Sequence, residues 1–153
     1  MSRTLSSAHE AFVTAITRDT PGTDLPRYIA VLDALIEWST ARPELLTFRA
    51  NEKRSDVVSF DRAGTKVVFW SVQTARSAAP RLEIHVPAGQ PLSAEDRATA
   101  MQTLNAHSRD ALVEGDRLRI GFGALKNVTA RTAVLALMEQ LLTSSGQPAE
   151  SSP

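Results

Sequence analysis

Three runs decide the fold: Asp56-Val-Val-Ser-Phe-Asp61, Lys66-Val-Val-Phe-Trp-Ser-Val-Gln73 and Arg81-Leu-Glu-Ile-His-Val86. Each is rich in β-branched and aromatic residues and short enough to be a strand. Arg62-Ala-Gly-Thr65 joins the first two and reads as a hairpin turn. A three-residue loop, Arg62-Ala-Gly64, places Gly64 where a left-handed residue is wanted. That register pairs Val58 with Val68 and Phe60 with Lys66. One face then carries Val58, Phe60, Val68, Trp70 and Val72. The other carries Val57, Ser59, Asp61, Val67, Phe69 and Ser71. A four-residue loop would mix these sets; with either loop both faces hold apolar residues, so this part of the sheet is expected to be covered on both sides or to meet another chain. Arg81 to Val86 alternates cleanly, with Leu82, Ile84 and Val86 inward and Arg81, Glu83 and His85 outward.

Working outward, Ser7-Ala-His-Glu10 has the spacing of a capping box and predicts a helix from about Ala8 to Arg18. Thr23-Asp-Leu-Pro26 opens a second helix, because a proline in the first turn gives up only an N–H that is unpaired there. Tyr28, Val31, Leu32, Leu35, Ile36 and Ser39 form its core stripe, and Pro43 ends it. Glu44 to Ala50 reads as a short strand, followed by the charged loop Asn51-Glu-Lys-Arg-Ser55. Ser93 caps a helix that reaches to about Leu112, with Glu95 and Asp96 in the first turn, where the macrodipole favours acids. Arg117 to Phe122 alternates as a further strand. Asn127 or Thr129 caps a last helix, Thr129 to Leu142. The expected order is ααββββαβα, an α+β fold with a mostly antiparallel sheet of four to five strands and about four helices. The helix between the fourth and fifth strands offers a crossover that would set the fifth parallel to a neighbour. Residues 1–142 make one domain, and the polar, Ser-rich run 143–153 reads as a disordered tail.

Bulk properties narrow the function classes. The chain has 153 residues, 42% apolar and 22% charged, enough to bury a core as a soluble globular domain. Its 17 basic and 17 acidic residues cancel, so no global field draws it to nucleic acid or to an anionic membrane. There is no cysteine, hence no disulfide, no zinc–cysteine site and no thiol nucleophile, which fits a cytoplasmic location. No apolar run is long enough to span a bilayer, and the amino terminus lacks a secretory pattern. Arg outnumbers Lys by fourteen to three, as GC-rich bacterial coding would produce.

Four features are candidates for chemistry. The outward row Arg81, Glu83 and His85, with Arg49, Asp61, Arg117 and Arg119 from other strands, puts a carboxylate beside an imidazole on one face. Such a pair can serve as acid and base or as metal ligands; the plainer reading is a solvated face with cross-strand ion pairs. A metal would want a third ligand, and no metal site is assigned. The run Arg119-Ile-Gly-Phe-Gly-Ala-Leu-Lys126 is a strand, a Gly-x-Gly turn and a lysine. Its backbone amides with Arg81, Arg119 and Lys126 would hold an anion; the plainer reading is a turn, because the spacing matches neither dinucleotide nor Walker loops. Arg49, Lys53, Arg54 and Lys66 would form a basic patch for nucleic acid, diluted by Glu52, Asp56 and Asp61; the plainer reading is a solvated charged loop, because the balanced net charge argues against a nucleic-acid partner. Phe69 and Trp70, adjacent on a strand, are expected on opposite faces, one in the core and the other at a pocket or a dimer interface; the plainer reading is that helices cover both.

No nucleophile elbow, histidine pair at ligand spacing or cofactor motif is present, and no cofactor is expected. The reading is a non-catalytic binding or protein-interaction module using the polar sheet face or the sheet edge, with a protein partner or a second copy as its interaction partner. The alternatives are a hydrolase using Glu83 and His85 and a nucleic-acid-associated domain using the Arg49–Lys66 patch.

Overall fold

The structure is a computed structural model that describes residues 4–19, 22–50, 57–75, 78–86, 93–109, 111–114 and 117–145. Two helices come first, α1 (Leu5–Asp19) and α2 (Leu25–Thr40). Four strands follow, β1 (Leu46–Arg49), β2 (Val57–Arg62), β3 (Val68–Ala75) and β4 (Ala78–His85). Then come α3 (Ala94–His107), β5 (Leu112–Glu114), β6 (Arg117–Gly121), the single turn α4 (Phe122–Leu125) and α5 (Val128–Ser145). The protein is α+β. Its six strands lie in the order β1-β2-β3-β4-β6-β5, and every neighbouring pair is antiparallel.

The sheet has one strand more than the sequence suggests, because Leu112–Glu114 extends as β5 instead of finishing α3. The chain leaves β4, crosses through α3 and lays β5 two positions away. It then turns back to insert β6 between them. The strand at 117–121 is therefore antiparallel to β4, and it is β5 that runs parallel to β4 across it.

The strand residues of the core are Leu46, Val58, Phe60, Phe69, Trp70, Val72, Leu82, Ile84, Leu118 and Ile120, on the face packed with the apolar stripes of the helices. Helix α1 packs on β2 and β3, α2 on β1, and α4 on β4 and β6. Several caps follow the residues that the sequence offers. Ser93 accepts from Asp96 N at 3.0 Å. Asn127 Oδ1 accepts from Thr129 N at 2.9 Å and from Ala130 N at 3.2 Å. Asn127→Ala is expected to lower stability by about 0.5–2 kcal/mol, measured by urea denaturation, because it leaves those amides without a partner. At α1 the reciprocal pair is Thr4 and Ser7, one turn before the expected box: Thr4 N donates to Ser7 Oγ, and Ser7 N to Thr4 Oγ1. Helix α5 reaches Ser145, and the rest of the expected tail lies outside the described residues.

The central hairpin departs from the simple register. Val58 opposes Val72 and Phe60 opposes Trp70, but Asp61 opposes Val68, so Phe69 has no partner. The tip holds four residues. Arg62 N bonds to Val67 O at 2.9 Å, and Gly64 takes a positive φ of 78°. The unopposed Phe69 is a β-bulge, and it sends two adjacent aromatics to the same face. Phe69 and Trp70 are both fully buried. Phe69 stacks on Trp38 of α2 and Trp70 on Phe60. Burying both rings is favourable by several kcal/mol, which strict alternation would forgo for one of them. The bulge also resets the alternation, so Val68 shares the opposite face with Ser59 and Ser71.

Candidate functional site

The face away from the helices is read directly from the register. Its middle row runs Arg49, Ser59, Ser71, Glu83, Arg119 and Leu112 across all six strands. One side of it holds Val57, Gln73, Arg81 and Gly121. The other side holds Thr47, Asp61 and Val68 and, past the bulge, His85, Arg117 and Glu114. Short serines at the centre of a row with long charged side chains at both ends make a trough. It encloses about 360 Å³. Val57, Ser59, Ser71 and Gln73 form its floor, Arg49 and Val68 one wall, and Glu83, His85 and Arg117 the other.

The walls are held by charge pairs. Arg119 reaches Glu83 Oε2 with Nε at 3.1 Å and NH2 at 2.9 Å. Glu83 Oε1 faces His85 Nε2 at 3.7 Å, beyond hydrogen-bond distance. Arg49 donates from Nε to Asp61 Oδ1 at 2.7 Å and from NH2 to the Lys66 carbonyl at 2.6 Å. The remaining polar groups are unused. The side chains of Ser59, Ser71, Gln73 and Arg117 make no hydrogen bond or ion pair among the described residues.

The structure places the sequence candidates as follows. Glu83 and His85 share the trough wall. Arg81 and Arg119 share the same sheet face on neighbouring strands, but Arg119 is committed to Glu83. Lys126 lies in the helix layer, where its Nζ meets Asp24 Oδ1 at 3.2 Å at the start of α2. The two flanks of the Gly-x-Gly turn therefore carry their cations to different places. Arg49 is held against the hairpin, Lys66 is exposed beside it, and Lys53 and Arg54 lie outside the described residues. Arg62 turns to the core side, with its guanidinium 4.9 Å above the Phe69 ring, and burial pushes its pKa below the ordinary value. Among the described residues no group of three His, Asp or Glu is placed to hold a metal ion. None of the described helices is long and apolar enough to cross a membrane.

Ser59, Ser71 and Gln73 are the floor residues that the sequence reading did not single out as a site. The signal was there: polar residues at alternate positions of strands otherwise built from Val, Phe and Trp. Interpreting it required knowing which face the helices leave bare.

The arrangement suits recognition of a small polar molecule. Pockets that bind such molecules usually enclose about 300–1,000 Å³ and present a few convergent polar groups. Comparison with protein-family models, with curated proteins and with solved structures returns no match.

Proposed function

We propose that this protein is a non-catalytic binding module that takes a small polar ligand in the trough on its open sheet face. The supporting observation is the set of unused polar side chains, Ser59, Ser71, Gln73 and Arg117, around one pocket whose walls are already fixed by ion pairs. Preorganised walls reduce the ordering cost of binding, and free donors on the floor exchange water for ligand without breaking a protein contact. An apolar protein interface has less support. Phe69 is buried, and the half-exposed or exposed apolar residues Val67, Met101, Leu112 and Val128 lie on separate elements.

The test is a two-dimensional NMR titration with a panel of small sugars, amino acids, hydroxy acids and nucleosides. Amide shifts are expected at 57–61, 68–73, 83–85 and 117–119. Ser71→Phe fills the floor and is expected to weaken binding by at least about tenfold through steric exclusion, while the circular dichroism spectrum stays that of the parent. Shifts confined to the hairpin tip or the sheet edges, or binding that survives Ser71→Phe, would overturn the proposal.

The hydrolase reading keeps one observation in its favour: Glu83 and His85 line the same pocket, with Glu83 fixed by Arg119 so that it can orient the imidazole. Turnover of a panel ligand that disappears in both Glu83→Gln and His85→Gln, with binding retained, would establish it over the binding reading.

A further inference from the structure

We infer that the ligand of the trough carries a single carboxylate, held by Arg117, on a short body bearing hydroxyl or amide groups. This inference rests on the binding reading and specifies its chemistry.

The charge balance around the pocket carries the argument. Of the groups facing it, Arg49 is neutralised by Asp61 and Glu83 by Arg119. His85 is the remaining titratable group on the wall. Arg117 is the one wall guanidinium without an ion pair among the described residues, although Glu114 stands directly across from it on β5. Arg81, also without a partner, is not part of the lining and belongs to the row on the far side of Ser71. Among the described residues the trough therefore offers one uncompensated positive charge on Arg117.

A planar guanidinium fork matches a carboxylate with two parallel hydrogen bonds. A phosphate monoester also fits the fork, but it brings a charge of about −1.5 to −2 at neutral pH. Its excess over the one charge that Arg117 compensates would face Glu114 across the strand. A monoanion leaves no such excess, although Glu114 still competes with it for the guanidinium.

The floor then sets the rest of the ligand. Arg117 lies on β6, two strands from Ser71 on β3, a separation of about 10 Å that its long side chain shortens, with Ser59 one strand further on β2. An anion at the rim leaves its body over Ser71 and Ser59, whose hydroxyls both donate and accept. Gln73 closes the far end with an amide that does the same.

The experiment titrates the protein with lactate and N-acetylglycine, each against its uncharged amide, following the same backbone signals by NMR. Both carboxylates are expected to shift the trough amides and to bind at least about fivefold tighter than their amides, because the charge-assisted bond is present only in the acid. Arg117→Ala is expected to weaken carboxylate binding by about tenfold or more and to weaken amide binding less, so that the gap between acid and amide closes. Glu114→Gln, on the exposed edge strand, is expected to strengthen carboxylate binding by about two- to fourfold by removing a competing charge.

Equal binding of acid and amide at the trough would overturn the carboxylate assignment and leave the binding proposal standing. Glycerol phosphate binding more tightly than lactate would overturn the single-charge argument. Carboxylates that leave the trough signals unmoved would overturn the inference outright, and the broader panel then decides whether the trough binds anything.

Discussion

Replacing Trp70 by Ala is expected to lower the unfolding free energy by about 3–5 kcal/mol, a large share of the roughly 5–15 kcal/mol by which domains are stable. Trp70 is the largest fully buried side chain, and its ring stacks on Phe60 at 5.2 Å with the planes 19° apart. The indole also ties sheet to helix. Its Nε1 donates to Ser39 Oγ at 2.8 Å, and that hydroxyl donates to the Leu35 carbonyl at 2.9 Å. Truncation leaves a cavity between layers that cannot collapse without moving α2 toward β3. Ser39→Ala separates the polar from the apolar part. It keeps the ring but strands a buried N–H, at a cost of about 1–3 kcal/mol. Urea denaturation followed by circular dichroism measures both. A loss under about 1 kcal/mol for Trp70→Ala would mean that the site repacks and that the two layers are not held here.

The second large effect is expected at Phe122, between the two glycines of Arg119-Ile-Gly-Phe-Gly-Ala-Leu-Lys126. Phe122→Ala should cost about 3–5 kcal/mol. The ring is fully buried and lies 6.0 Å from Phe12 of α1 and 6.0 Å from Tyr28 of α2, the latter edge-on at 77°. One side chain at the end of β6 thus anchors two helices that come from the other end of the chain. The glycines beside it are sterically undemanding. A Cβ at Gly123 would meet nothing within 4 Å, and one at Gly121 would make only ordinary contacts at 3.9 and 4.0 Å. Gly123→Ala should therefore change stability by less than about 1 kcal/mol. The contrast between the two substitutions in one thermal or urea series tests whether the segment is a packing anchor. A large effect at Gly123 with a small one at Phe122 would point instead to a backbone that needs glycine for its own sake.

Much of the fold is visible in local pattern. Strand β4 is announced by Leu82, Ile84 and Val86 alternating with Arg81, Glu83 and His85, and α2 by its stripe from Tyr28 to Ser39. The caps at Ser93 and Asn127 follow from residue type, because a short acceptor at that position meets free backbone amides whatever the rest of the chain does. Strand β5 was missed for an equally physical reason. Three residues following a helix carry too little periodicity to outvote it, and only pairing with β6 extends them.

The hairpin shows where pattern fails. Alternation treats Phe69 and Trp70 as opposite-facing, yet both are more stable in the core than either is outside it. The bulge that permits this is a compromise between two packed layers and leaves no local signature. Its displacement of Val68 to the other face helps shape the wall of the trough.

Glu83, His85, Arg117 and Arg119 could be gathered on one face from period-two reasoning alone, since strand geometry fixes which side chains are neighbours. Their roles could not. Only the tertiary structure shows Arg119 neutralising Glu83, Asp61 neutralising Arg49 and Arg117 left over among the described residues, because ion pairing across strands depends on which strands are neighbours and on their register. Local pattern specifies an α+β chain, its four longer helices, its central strands and the inward side of each cleanly alternating one, because these follow from residue size, shape and polarity at short range. The sixth strand, the common burial of Phe69 and Trp70, and the helix-free sheet face where Ser59 and Ser71 lie between charged walls are settled only in three dimensions. Each of those depends on contacts between residues distant in the chain.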